Sequence, residues 1–338
     1  MTKLALVRIV QRVQSTPKLS LLCLFISLGG YWTAKAFILP ITIDEATTVI
    51  EAQQLEWSDW VSEANFHPLN SALVHIVISW IGLIEGIIRL PNLVSGFAYI
   101  YLAWRISELC FTGSLKFAGV LLLTCNPFIN DFFTLARGYG IGLALLMALI
   151  YWLLKSRESV NFLSSVSISL LGGLVVMANY SFLTIVGGVY VTFGLRCLRF
   201  RAWNQLILTF FGCLFWLAPV TYVCLELDGL DLLYYGGRGS FADSTVRSLI
   251  TSSCYHASYS GPLSLILWGG VILGWGAIAF RSVWCIARGG AERNGECIYV
   301  VFISAVLFVI ALAIYRGTFY PVERTAVGFY PCLIIAAL

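Results

Sequence analysis

Two carboxylates stand side by side at Asp44-Glu45, just after the first long apolar run, and no residues of this chain are better suited to chemistry. A carboxylate close to hydrocarbon has little competing water, so such a pair can act as a general base or as a ligand for metal or substrate. The same pair also suits the start of a helix, where acidic side chains meet the positive end of the helix dipole. On chemistry alone both readings stand. His67-Pro68-Leu69 follows 23 residues after Asp44, and Asp44, Glu45 and His67 together make a candidate set for a divalent metal, although without ordered spacing. Four arginines near apolar boundaries, Arg89, Arg137, Arg238 and Arg324, could hold a phosphate and stabilise charge developing on it. Pairing with neighbouring carboxylates or with lipid headgroups explains them as well. The Gly236-Gly237-Arg238-Gly239 run could form a backbone N–H nest around phosphate or a simple flexible turn.

Something must hold these groups, and the composition says what. Of 338 residues 59% are hydrophobic and only 11% charged, against roughly a quarter charged in an ordinary soluble domain. This excludes a water-soluble globule and a disordered chain. A net charge of +4 spread over so much apolar sequence excludes a nucleic-acid binder. The ten cysteines lie mostly inside apolar runs and form no C-x-x-C pair, so they read as membrane-core residues and not as a disulfide framework.

A bilayer core needs about 20 apolar residues per helical span. Runs of that kind lie at about 19 to 39, 90 to 106, 115 to 130, 139 to 154, 162 to 178, 180 to 195, 203 to 223, 261 to 280 and 297 to 315, with another from about 322 to the end. The expected architecture is all-α and polytopic, a single domain over 1–338 with about ten transmembrane helices. The run 68 to 84 is apolar but carries His75 and is followed by Glu85 and Arg89. If it lies on the outer surface, the basic N-terminal tail shares one side with Arg105, Lys116, Lys155, Arg157, Arg196, Arg199, Arg201, Arg281, Arg288 and Arg293. That places 14 of the 21 basic residues inside and 13 of the 17 acidic residues outside, which the positive-inside rule favours over a full span. The N-terminus is then cytoplasmic, and two large outer loops span 40–89 and 224–260. The basic start with Ala34-Lys35-Ala36 also reads as a cleavable signal peptide. The end at Leu338, inside an apolar run, gives the expectation of a truncated chain.

Asp44-Glu45 after the first span, His67-Pro68-Leu69 in the first outer loop, and Arg89-Leu90-Pro91-Asn92 opening the next span resemble the GT-C glycosyltransferases. The closest branch is the protein O-mannosyltransferase and aminoarabinose transferase-like group. Asn126-Pro127 followed by Ala136-Arg137-Gly138-Tyr139 is similar to that family's second outer loop. Tyr234-Tyr235-Gly236-Gly237-Arg238-Gly239-Ser240-Phe241 and Tyr320-Pro321-Val322-Glu323-Arg324-Thr325 resemble its later ones. The motifs run in order along nearly the whole chain. Two features depart from the pattern: one proline follows His67 where the mannosyltransferases tend to have two, and no acidic residue follows Arg137, Asp131 being the nearest.

The resemblance implies a sugar transferase of a bacterial plasma membrane that draws on a polyprenyl-phosphate-linked donor and works on the outer face, with a lipid, glycan or protein as acceptor. Asp44 and Glu45 are then the expected catalytic residues, Asp44 as base, and His67, Arg89, Arg137, Tyr139, Arg238 and Arg324 the expected substrate contacts. Trp57, Trp60, Phe66, Tyr234, Tyr235 and Phe241 could stack on a sugar or line a prenyl groove, and an interfacial aromatic belt explains them equally. His75 and His256 read as structural, and Lys35 as a snorkelling interfacial residue. A lipid-linked sugar flippase or transporter is the competing reading. It would place charges at the bilayer midplane, whereas here they gather at one face.

Overall fold

The computed structural model describes residues 17–54, 67–229, 236–253 and 296–338, together with 277 and 281, and within them the chain is helical. Trp57, Trp60, Phe66, Tyr234, Tyr235, His256 and the apolar run 261 to 280, apart from Ala277, lie outside the described residues.

Helix α1 (Pro17–Ile38) is apolar on all sides and mostly faces outward, but Trp32 and Ala36 point inward and are fully buried. It packs on α5 (Leu90–Cys110). The contact depends on small residues. A Cβ on Gly96 would lie 2.6 Å from the Trp32 ring, and one on Gly29 would lie 2.4 Å from Phe97, the close approach that glycine allows between membrane helices. The Trp32 indole N–H donates to buried Asn130 Oδ1 at 3.2 Å.

Between them the chain makes α2 (Ile43–Gln54), α3 (Pro68–Ile81) and a single turn α4 (Glu85–Ile88). α3 has 14 residues, about 21 Å at 1.5 Å per residue, which is too short to cross a bilayer core of about 30 Å. Its N-terminal half is buried on α2 and the bundle while Trp80 and Ile81 are exposed. This geometry agrees with a helix lying at the surface.

The apolar run near 115 to 130 does not form one straight span. It breaks into α6 (Ser114–Thr124) and α7 (Pro127–Asp131), with a bend of 54°. Pro127 cannot continue a helix, and Asn126 restarts it by accepting the N–H groups of Phe128 and Ile129 on its side chain. α8 (Gly138–Lys155) is the most enclosed of the long apolar helices and packs between α5 and α9 (Phe162–Ala178). A helix apolar all round belongs in such a central place. A 3-10 turn at Tyr180–Phe182 leads into α10 (Leu183–Arg199), followed by α11 (Trp203–Gly229). After α12 (Arg247–Ser253), α13 (Glu296–Arg316) packs on α10 so tightly that a Cβ on Gly188 would lie 2.4 Å from the Val301 carbonyl oxygen. The run from 322 becomes a 3-10 turn, Glu323–Ala326, and the nine-residue α14 (Phe329–Ala337).

Among the described residues five helices are long and apolar enough to cross a membrane, six if the bent pair counts as one, so the chain is a multi-pass membrane protein. One end of the bundle is basic. There Arg196 of α10 donates to the Leu153 carbonyl and to Ser156 Oγ at the end of α8, and Arg105 lies over the Tyr151 ring. The opposite end carries the site.

Candidate functional site

The adjacent carboxylates have opposite surroundings. Thr42 and Glu45 form a reciprocal cap at the start of α2. The Thr42 N–H donates to Glu45 Oε2 at 3.0 Å, and the Glu45 N–H donates to Thr42 Oγ1 at 3.2 Å. The Glu45 carboxylate also receives a forked pair from Arg89, Nε to Oε1 at 2.7 Å and Nη2 to Oε2 at 2.8 Å, and the Ala136 N–H at 2.8 Å. Both side chains are fully buried. The other guanidinium hydrogens of Arg89 reach the Ala36, Leu39 and Pro40 carbonyls at the end of α1, where a cation complements the helix dipole. Burial pushes the Glu45 carboxyl up, but Arg89 and the Ala136 and Thr42 N–H groups outweigh it and hold the group below its usual value. Glu45 and Arg89, expected as catalytic and substrate-contacting residues, therefore face each other inside the protein and not the open site. They join the end of α1, the starts of α2 and α5, and the loop before α8.

That clamp turns Asp44 outward, with 40% of its side chain exposed. Arg324 Nη1 donates to its Oδ2 at 2.8 Å, and Arg137 Nη1 lies 3.2 Å from the same oxygen. Arg137 precedes α8 and is nearly buried, whereas Arg324 sits on the Glu323–Ala326 turn and is about one-third exposed. The acidic partner missing after Arg137 in the sequence is thus supplied by Asp44. Asp131 instead pairs with Lys35.

The Arg137-Gly138-Tyr139 segment is held by close packing: a Cβ on Gly138 would fall 1.8 Å from the Ala178 carbonyl oxygen and 3.0 Å from His67 Cβ. Only glycine fits there, and it brings α8, the end of α9 and His67 together. His67 is buried with its ring edge-on to Tyr139 at 5.6 Å. Burial first, then the charges of Arg137 and Arg324, hold its imidazole well below the usual histidine range, so it is neutral. The candidate metal set does not assemble. Glu45 is turned onto Arg89, and no group of three His, Cys, Asp or Glu side chains among the described residues could hold a metal ion.

Beside Asp44 a cavity of about 370 Å³ runs into the bundle. Its outer end is polar, lined by His67, Tyr139, Asn179, Ser181, Arg316 and Arg324, and its inner wall is apolar, with Leu217, Phe308, Val309 and Leu312. Arg324 belongs both to this lining and to Asp44. Arg238 does not reach Asp44. It is exposed and lies over the Phe319 ring, 5.0 Å from the centroid, on a wall residue of the cavity. The neighbouring glycine run is occupied structurally, since Gly237 exchanges backbone hydrogen bonds with Tyr320 at 2.9 and 3.0 Å, so that N–H cannot serve a phosphate nest. Phe241 packs edge-on against Tyr320 and Phe329. Sequence reasoning missed Asn179, Ser181, Thr184 and Arg316 as cavity residues. A signal existed for Asn179 alone, the polar residue at the break between the apolar runs 162 to 178 and 180 to 195.

Searches by family models and against curated sequences produced no match to this chain. Among solved structures, ArnT from Cupriavidus metallidurans in the apo state superposes with a TM-score of 0.56 over 96% of this chain, at 12% identity. This is a GT-C-like fold. The chain spans 59% of the length of ArnT. Within the GT-C-like arrangement, Asp44 in the first loop and Arg324 near the end of the chain meet at the mouth of the cavity.

Proposed function

We propose that this protein is a membrane glycosyltransferase that moves a hexose or pentose from a polyprenyl-phosphate carrier to a lipid, glycan or protein acceptor on the outer face of the bacterial plasma membrane. The observation that carries this reading is the double engagement of Arg324, which contacts the only partly exposed carboxylate of the adjacent pair and also lines the polar end of an otherwise apolar cavity. The similarity to ArnT supports it at the level of fold.

The apolar wall of Leu217, Phe308, Val309 and Leu312 suits the first isoprene units of a carrier lipid, and Arg316 and Arg324 suit its phosphate. A lipid carrier brings its own leaving group. The acceptor oxygen attacks the anomeric carbon as the bond from that carbon to the phosphate oxygen breaks. The acceptor proton passes to Asp44, and polyprenyl phosphate leaves with the bonding electrons. A carboxylate takes such a proton as the new bond forms, when the attacking hydroxyl becomes acidic. The phosphate needs no proton, and guanidinium groups in a water-poor site stabilise its charge. A single displacement of this kind inverts the anomeric centre.

The test is transfer of labelled sugar from polyprenyl-phosphate sugars in membranes holding wild-type protein or Asp44→Asn at equal levels. The expected result is a loss of about 100-fold or more in the variant. Undiminished transfer by Asp44→Asn removes it as the base. Carrier translocation with no transfer by the wild-type protein favours the flippase.

A further inference from the structure

The cavity gathers unpartnered polar groups at its outer end. Among the described residues eleven buried side-chain nitrogen and oxygen atoms have no hydrogen-bond partner, and five belong to four residues lining this cavity: both ring nitrogens of His67, Asn179 Nδ2, Ser181 Oγ and Thr184 Oγ1. His67 is 4% exposed, Asn179 2% and Thr184 9%. A buried donor or acceptor without a partner is costly, and native structures keep such groups few. Their gathering on one cavity points to a ligand that completes them.

The turn at Tyr180–Phe182 fixes what is presented. Asn179 Oδ1 accepts the Ser181 N–H at 2.9 Å, which sets the amide orientation and leaves Nδ2, beside the Tyr139 hydroxyl, as the group offered. Ser181 and Thr184 add hydroxyls that both donate and accept, and a neutral imidazole adds one donor and one acceptor. The charges are as informative. No Asp or Glu lines the cavity among the described residues, and its charged groups are Arg316 and Arg324. Among the described residues a cationic amino sugar would enter beside two guanidinium groups, and Asp44, the carboxylate at the mouth, is already held by Arg137 and Arg324. A neutral polyol would meet an amide, two hydroxyls and an imidazole.

We propose that Asn179, Ser181, Thr184 and His67 form the subsite for the transferred sugar, and that this sugar is an uncharged hexose or pentose. The proposal rests on the carrier-lipid reading above and adds to it the class of the transferred group.

The experiment measures binding of purified full-length protein in nanodiscs to three kinds of probe. These are bare polyprenyl phosphate, polyprenyl phosphate bearing glucose, mannose, galactose or arabinose, and polyprenyl phosphate bearing glucosamine. At least one neutral sugar lipid should bind about tenfold or more tighter than the bare and the glucosamine lipids. Asn179→Ser keeps an oxygen for the Ser181 N–H but loses Nδ2, and Thr184→Val loses only the hydroxyl. Each should weaken that neutral sugar lipid about tenfold, the measure of one or two net hydrogen bonds, and leave bare polyprenyl phosphate unchanged. Equal binding of sugar and bare lipids by the wild-type protein overturns the subsite while the carrier reading survives. So does a preference for glucosamine, or an equal loss for both lipids in the variants. Binding of none of the lipids overturns both.

Discussion

Arg324 Nη1 donates to Asp44 Oδ2 at 2.8 Å across 280 residues of sequence, joining the start of α2 to the Glu323–Ala326 turn. Arg137 approaches the same oxygen at 3.2 Å. Two guanidinium groups meet on one carboxylate oxygen, and Arg324 also faces the cavity. An incoming phosphate can therefore compete for Arg324 without dismantling the pair between Asp44 and Arg137.

Arg324 should accordingly matter for carrier binding as well as for rate. Arg324→Gln should weaken binding of polyprenyl phosphate about tenfold or more and lower transfer further, because it removes charge from both partners. Arg324→Lys keeps the charge but loses the planar fork, and should fall between wild type and Gln. Binding by native mass spectrometry and transfer in membranes check this. Wild-type affinity in Arg324→Gln would detach the cavity from the carrier phosphate.

The neighbouring carboxylates should separate stability from activity. Glu45→Gln leaves the fully buried Arg89 without its counter-charge, a change that costs about 3–5 kcal/mol in comparable buried pairs. Its thermal unfolding temperature in detergent should drop sharply. Asp44→Asn should unfold close to wild type, since the side chain is part-exposed at the site mouth. If the two variants are equally destabilised, the division of roles between the carboxylates is wrong.

The two pKa shifts act in the same direction at different pH. The folded Glu45 carboxyl lies below its ordinary 4.5, so its stabilisation is fully present above 4.5 and is lost as pH falls through the lowered folded value. His67 lies well below its ordinary 6.5. Between those two His67 values the unfolded chain binds a proton that the folded protein does not, so stability falls as pH drops below 6.5. The unfolding temperature should therefore decline from pH 7 to 5. His67→Phe should flatten that decline and leave the pH 7.5 value at least as high, because it removes two buried unpartnered nitrogens. An unchanged slope would assign the acid sensitivity to other groups.

Much of this was legible in the sequence wherever a single segment decides the outcome. The apolar run at 162 to 178 forms the helix Phe162–Ala178, and the run at 139 to 154 lies within Gly138–Lys155. Asp44, Arg137 and Arg324 also stand out by type and position, and the structure brings them together. The illegible part is whatever several segments decide jointly. Nothing local distinguishes Asp44 from Glu45; Glu45 is buried because Arg89 and the Ala136 N–H, 44 and 91 residues away, converge on it. The bend at Pro127 was visible as a proline inside an apolar run, but its consequence depends on how α6 and α7 pack.

Two glycines give the sharpest test of the cavity. At Gly138 an added Cβ would sit 1.8 Å from a backbone oxygen, so Gly138→Ala must displace α8 from α9 and should destabilise the protein by about 1–3 kcal/mol or more. Gly187 also lies within a helix but lines the cavity, and a Cβ there meets nothing within 4 Å. Gly187→Ala should then gain about 0.5–1 kcal/mol from helix propensity and retain carrier binding. Gly187→Phe should keep the fold while its ring fills the space between Leu217 and Phe308. Loss of polyprenyl-phosphate binding in Gly187→Phe, with the unfolding temperature of Gly187→Ala at or above wild type, identifies the cavity as the carrier's path. Retained binding in a folded Gly187→Phe protein would place the carrier elsewhere.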